Sequence, residues 1–282
     1  MGASPYLREI LALDPVRDAQ RIVYLDVVYE FPFDTTRALE LALFRTFGSP
    51  AVSAVLDSSG EFRARAQRRY DDTDLILSTI AESGYESDAG RRAIRRMNRL
   101  HGRFQIANED FLYVLSTFVF EPIRWNERFG WRLLVEQERL AGFHFWREVG
   151  RRMAIKDIPE SFGDFERYNV EYERANFRFA ESNRRVALAS RDMFLSWFPG
   201  VPTRFGTHAI ATLMDKRLRA ALGFPEPPRA LALAVEAALR TRSRAVRALP
   251  HRRKPKLRTA LRHRTYRDGY VLEALGPPPA DT

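Results

Sequence analysis

Apolar residues recur along this chain at intervals of three and four, the spacing that gathers them on one face of an α-helix. Asp34 and Thr35 are candidate caps for a helix that Gly48 and Pro50 would end, with Leu39, Ala42 and Leu43 on its apolar face. Residues 49–56 predict a second, short helix. Asp71 and Asp72 precede a helix over 73–83, where Leu75, Ile76, Thr79 and Ile80 share one side and Gly84 is the stop. Ser87 or Asp88 opens the next, running to about Phe104. The ten-residue run 111–120 suits a buried strand or a buried helix by periodicity alone; Asn108 as cap, with Glu109 and Asp110 in the first turn, favours helix. Pro122 predicts a break after it. Further helices are predicted over 135–153, 161–174, 177–197, 207–222 and, after the hinge of Pro225, Pro227 and Pro228, over 230–249. The prolines at 277–279 predict a tail. No internal repeat is visible. The pattern predicts an all-α protein, a single helical domain of about ten helices over residues 1–239, followed by an Arg-rich segment and Pro-rich tail over 240–282.

Composition narrows what such a domain can do. With 45% apolar and 12% aromatic residues over 282 positions, the chain is neither disordered nor fibrous. It has no cysteine, which removes disulfides, thiolate zinc sites, iron–sulfur clusters and a cysteine nucleophile together. Any metal must be held by histidine, carboxylate or another oxygen. The net charge of +10 is local: residues 240–267 carry twelve Lys and Arg and no Asp or Glu, leaving 34 basic and 36 acidic residues elsewhere. Such a segment can bind phosphates, on an anionic membrane surface or a nucleic acid, or it can fold back on a weakly acidic body. Only His251, His263, Tyr266 and Tyr270 could stack on bases there, and no nucleic-acid-binding motif is present, so nucleic acid is the weakest of these partners. His251 and His263 are expected to be solvated. The run 111–120 contains Ser116 and Thr117 and is half the roughly 20 residues a spanning helix needs. The first fifteen residues have early charges and no secretory apolar core, and Gly2 has no Ser or Thr where a myristoylation signal places one. The expected location is cytoplasmic, with a membrane-peripheral alternative.

The common catalytic signatures are missing. There is no GxGxxG, no phosphate loop, no GxSxG and no HExxH, and no histidine follows a Glu at the spacing of di-iron bundles. One position stands out instead. Within 87–104, Ile94, Met97, His101 and Phe104 are spaced three, four and three, so they share a face, while Arg91, Arg92, Arg95, Arg99 and Arg103 lie on others. His101 therefore occupies a core position inside a strongly basic helix. Two readings stay open: a buried neutral histidine hydrogen-bonded to a neighbour, or an axial ligand to heme iron with arginines pairing the propionates. His144, among Phe143, Phe145 and Trp146, and His208, near a helix start, read first as structural, with His208 the second choice for an iron ligand.

The stretch MetAsnArgLeuHisGlyArgPhe at 97–104, followed by AsnGluAspPheLeuTyrValLeuSerThrPhe at 108–118, resembles the catalytic domain shared by bacterial rubber oxygenases (latex-clearing proteins) and MpaB-type oxygenases. Arg69 and Thr73, four apart in ArgArgTyrAspAspThr, match an Arg/Thr pair of that family, and 144–168 resembles its helix–Pro–helix passage. The similarity covers roughly residues 35–172. What the resemblance implies is a globin-like fold holding heme b. His101 would be the proximal ligand, Arg69 and Thr73 would sit where dioxygen and substrate meet, and Thr117 would be a further pocket residue. Arg95, Arg99 and Arg103 would serve the propionates. Two positions depart from the family pattern. Asp72 stands where rubber oxygenases carry a Lys just before the Thr, and Leu115 stands where the family carries His. Without a secretion signal, polyisoprene gives way to a smaller apolar, isoprenoid or unsaturated lipid as the expected substrate. The alternative from another class is a non-catalytic helical lipid-binding protein that docks on anionic membrane through residues 240–267.

Overall fold

A computed structural model describes residues 4–277; the predicted tail at 277–279 falls largely outside them, as do Gly2 and the rest of the first three positions. The chain folds as α1 (Pro5–Ala12), α2 (Ala19–Leu25), a π-helical turn (Asp26–Glu30), α3 (Pro32–Thr46), α4 (Pro50–Ser58), α5 (Glu61–Ser83), α6 (Asp88–His101) and α7 (Asn108–Phe129). There follow α8 (Glu136–Arg152), α9 (Phe162–Asn176), α10 (Glu181–Leu195), α11 (Thr203–Thr212), α12 (Lys216–Leu222), α13 (Arg229–Ala248) and a 3₁₀ turn (Leu272–Ala274). No strand occurs among the described residues. The all-helical prediction holds.

Two hydrophobic clusters form the interior. One joins Ile22, Leu75, Ile80, Ile94, Leu115 and Phe145; the other joins Phe44, Phe47, Phe62, Trp125, Phe194 and Leu218. Helices α5 and α7 contribute to both, so they are the beams on which the two halves are hung. Helix α7 runs straight through Pro122, where a break was expected. Proline deletes one hydrogen bond donor, but burial of Val119, Phe120, Ile123 and Trp125 on either side of it keeps the helix whole. The predicted helix 177–197 is shorter than expected, and 207–222 is divided. Phe177 ends α9 and α10 begins only at Glu181; Asp215 caps α12 by accepting from the Leu218 amide at 2.9 Å, which splits the second.

Helix α5 begins at Glu61, well before the predicted start, and is kinked at Arg65 (φ −145°, ψ 46°). Asp71 and Asp72 are therefore not caps but buried residues in mid-helix, and Asp34 likewise lies inside α3 with its carboxylate buried. Gly84, at φ +79°, ends α5 in a conformation that suits glycine. Gly90 then lets α6 lie close across this turn: a Cβ there would stand 1.9 Å from the Gly84 carbonyl oxygen. Ser87 accepts from the Gly90 amide at 2.9 Å and caps α6 as predicted. These contacts fix the pairing of α5 with α6.

The basic segment folds back on the body. Arg242 pairs with Asp34 at 2.7 Å and Arg258 with Asp74; the Thr265 amide donates to Asp71 at 2.8 Å, and the Tyr266 hydroxyl donates to Asp72. His263, expected in solvent, is buried: its Nε2 faces the Arg258 carbonyl at 2.9 Å and its Nδ1 lies 3.8 Å from both Asp71 and Asp74. The chain then crosses α6, where Arg96 donates to the Leu275 carbonyl at 2.6 Å. No single helix among the described residues is long and apolar enough to cross a membrane; α3 and α4 reach that length and hydropathy only together, and they meet at 97°.

Candidate functional site

Helices α5 and α6 bring the sequence-predicted residues Arg69, Thr73 and His101 to one place. On α5, Arg69 and Thr73 are one turn apart, and the Arg69 Nη1 donates to the Thr73 hydroxyl, which itself donates to the Arg69 carbonyl at 2.9 Å. The guanidinium lies over the Phe62 ring, 5.7 Å from its centroid. Among the described residues Arg69 has no carboxylate within ion-pair distance. Burial lowers its pKa from the ordinary value, with Asp72 and Glu61 pulling the other way. A guanidinium in this setting retains its charge and an unsatisfied field.

His101 closes α6. Its ring meets Phe111 of α7 edge-on at 5.3 Å between centroids, and its Nδ1 is buried without a hydrogen-bond partner among the described residues. Burial pushes the imidazole pKa down to about 4, helped by the positive charge of Arg69. The ring is therefore neutral at physiological pH. A neutral imidazole with an unpaired buried nitrogen meets the chemical requirement for a metal ligand, which must be unprotonated at the coordinating atom. An adjacent uncompensated arginine favours an anionic or electron-rich group in the same space. The residues present thus fit a heme. They do not fit a metal held by side chains alone: among the described residues no group of three His, Asp or Glu converges on a common point.

The other candidates are distributed differently. Thr117 on α7 is fully buried, and its hydroxyl donates to the Val114 carbonyl at 2.7 Å, so no hydrogen bond joins it to Arg69, Thr73 or His101. Arg95, Arg99 and Arg103 are exposed on the outer side of α6, where Arg99 and Arg103 crowd Arg96 enough to lower its pKa after burial. Phe104, predicted to share the His101 face, lies past the helix end and is exposed. His208 on α11 also has a buried Nδ1 with no hydrogen-bond partner among the described residues. His144 is half-buried against Phe143. Sequence reading missed Phe62 and Phe111, which wall Arg69 and His101, and Tyr266, which ties down Asp72; aromatic residues carry no signal of which helix they will face.

Comparison with known proteins gives the family of the chain. The family model described as ER-bound oxygenase mpaB/B′/rubber oxygenase, catalytic domain, matches residues 37–248. The chain is similar to ER-bound oxygenase mpaB′ of Penicillium brevicompactum, at 28% identity over 238 residues, 78% of this chain and 56% of that protein. It is similar to ER-bound oxygenase mpaB of Penicillium roqueforti, at 29% over 237 residues, 78% of this chain and 80% of that protein. A third relative, ER-bound oxygenase mpaB of Penicillium brevicompactum, is 30% identical over 224 residues, 73% of this chain and 57% of that protein. The chain therefore spans little more than half of two of these relatives.

Proposed function

This chain belongs to the ER-bound oxygenase mpaB/B′/rubber oxygenase catalytic-domain family, and from that premise we propose that it is a heme b-dependent oxygenase. Its substrate is an apolar lipid, isoprenoid or otherwise unsaturated, and its second substrate is dioxygen. His101 holds the iron as proximal ligand. The observation that carries this reading is a neutral His101, its buried Nδ1 unpartnered among the described residues, within the field of Arg69, which has no ion-pair partner among those residues.

Bound heme supplies the iron at which dioxygen is activated. The remaining work belongs to side chains. Arg69 offers N–H donors and a positive charge to an electron-rich oxygen, and the Thr73 hydroxyl holds that guanidinium in place. Phe62 and Phe111 wall the two polar groups and keep water away from them. Thr117 shapes the apolar side of the pocket. Arg95, Arg99 and Arg103 present the positive charge that suits propionates at the solvent edge.

The test is an absorption spectrum of the purified protein, followed by heme addition. A Soret band that disappears in His101→Ala while the circular dichroism is unchanged supports the reading; a colourless protein that refuses added heme overturns it. A second reading rests on the exposed Arg244, Arg247, Arg252, Arg253 and Lys254, which make no ion pair among the described residues. They suit peripheral docking on an anionic membrane, with or without catalysis, and replacing all five by Ser should abolish salt-sensitive binding to phosphatidylserine vesicles.

A further inference from the structure

A cavity of about 320 Å³ lies away from His101, between α3, α7, α10 and α11 and under residues 197–205. Its volume sits at the small end of ordinary ligand pockets, roughly 300–1,000 Å³. The walls are almost wholly apolar: Phe44, Trp125, Phe194, Trp197 and Met214 form the interior. Phe198, Val201 and Phe205 form a rim, with 56%, 39% and 52% of their surfaces exposed. Apolar side chains left bare at the mouth of an apolar hollow indicate a partner that covers both.

Two polar residues interrupt this lining, Arg37 and Glu40 of α3. Glu40 Oε1 accepts from the Tyr70 hydroxyl at 2.7 Å and from Arg37 Nη2. Its Oε2 makes no hydrogen bond among the described residues, and Arg37 Nε is buried without one. A buried donor and a nearby acceptor are thus left open beside the cavity. A hydroxyl group satisfies both, since it accepts and donates at once. An alkane would leave both unpaired, and a carboxylate would bring its charge against Glu40.

We propose that this cavity is a second ligand site, separate from the His101 pocket, that takes one aliphatic chain with a terminal hydroxyl held between Arg37 and Glu40. The site needs no iron, so it stands or falls independently of the heme reading. Tyr70 follows Arg69 in sequence and packs on the cavity residues Phe194 and Trp197 at 5.6 and 5.2 Å, so α5 backs this wall of the cavity. Burial raises the Glu40 pKa to about 7, against the pull of Arg37, Tyr70 and Arg258 and with a push from Asp74. The carboxyl is therefore half-protonated near neutrality, and its charge against an incoming carboxylate grows as pH rises.

Trp125 and Trp197 line the cavity and Trp131 and Trp146 do not, so bromine-quenched tryptophan fluorescence reports occupancy directly. The probes are 10-bromo-1-decanol, 1-bromodecane and 10-bromodecanoate. At pH 8.5 the alcohol should quench saturably, with the bromoalkane binding about fivefold and the carboxylate about tenfold more weakly. Glu40→Gln should close most of the gap between carboxylate and alcohol. Ala209→Leu and, separately, Leu213→Phe fill the hollow and should weaken quenching at least about tenfold with unchanged circular dichroism, two variants guarding against misfolding in one. Quenching that does not saturate, that survives both filled variants, or that is equal for the three probes would overturn the proposal.

Discussion

Two arginines in this molecule are drawn away from water, Arg45 almost wholly and Arg69 in part, and share little else. Arg45 of α3 is answered on every side: Glu173 accepts from Nε at 2.8 Å and again from Nη2, Asp215 accepts from Nη1 at 2.8 Å, and Glu121 lies 3.2 Å away. Its pKa is raised, the carboxylates outweighing the cost of burial. Arg69 of α5 has a hydroxyl and a phenyl face, and burial lowers its pKa. The first is a rivet between α3, α7, α9 and the cap of α12. The second has no carboxylate within ion-pair distance among the described residues, only the more distant Asp72 and Glu61. A buried cation that the fold has neutralised stabilises structure; one left unneutralised marks a site.

The contrast can be broken most directly at its structural end. Arg45→Leu leaves the buried Glu173 without an ion-pair partner among the described residues and Glu121 with Arg124 alone, and should cost about 3–5 kcal/mol in urea denaturation. Arg69→Leu should behave in the opposite way, leaving stability within about 1 kcal/mol of wild type or improving it. The same variant should lose heme affinity, read as Soret absorbance per chain after reconstitution. A large loss of stability from Arg69→Leu would put the two arginines in one class and remove the distinction. Thr73→Val keeps shape and deletes the hydroxyl that holds the guanidinium, a change worth about 1 kcal/mol.

The smallest expected effect concerns the segment that crosses α5. His263 has its pKa raised, first by the nearby Asp71 carboxylate, then by the Arg258 carbonyl and by Asp74, with burial opposing. Its stabilisation is fully present below the unfolded value of about 6.5 and fades as pH rises through the higher folded value. Hydrogen-exchange protection factors across residues 256–270, corrected for the intrinsic pH dependence of exchange, should therefore fall between pH 6 and pH 8.5 by an amount corresponding to ~0.5–1 kcal/mol. His263→Gln should flatten that dependence.

What could be read from the sequence followed the range of the interaction. Ser87 and Gly84, local signals for a helix start and stop, were read correctly. His101 was placed on a buried face from its spacing to Ile94 and Met97 alone. Pro122 misled because its local cost is outweighed by apolar partners supplied by other helices. Asp34, Asp71 and Asp72 looked like caps because acids before an apolar run commonly are. Their true partners, Arg242, His263, Thr265 and Tyr266, lie about two hundred residues away, and no local pattern encodes that pairing. Burial of His263 was illegible for the same reason. For the candidate site, Arg69, Thr73 and His101 could be named from the sequence, while the neighbouring rings of Phe62 and Phe111 required the fold.

The clasp between residues 258–266 and Asp71, Asp72 and Asp74 also sets an order of events at the ribosome. The three carboxylates of α5 are made early and receive their partners 184 to 194 residues later. A nascent chain paused anywhere before Arg258 carries α5 with those acids facing water, next to the turn that bears Arg69 and Thr73. The packing around that turn is thus completed only once residues 258–266 have been made, so a chain stopped short of them carries α5 without its clasp.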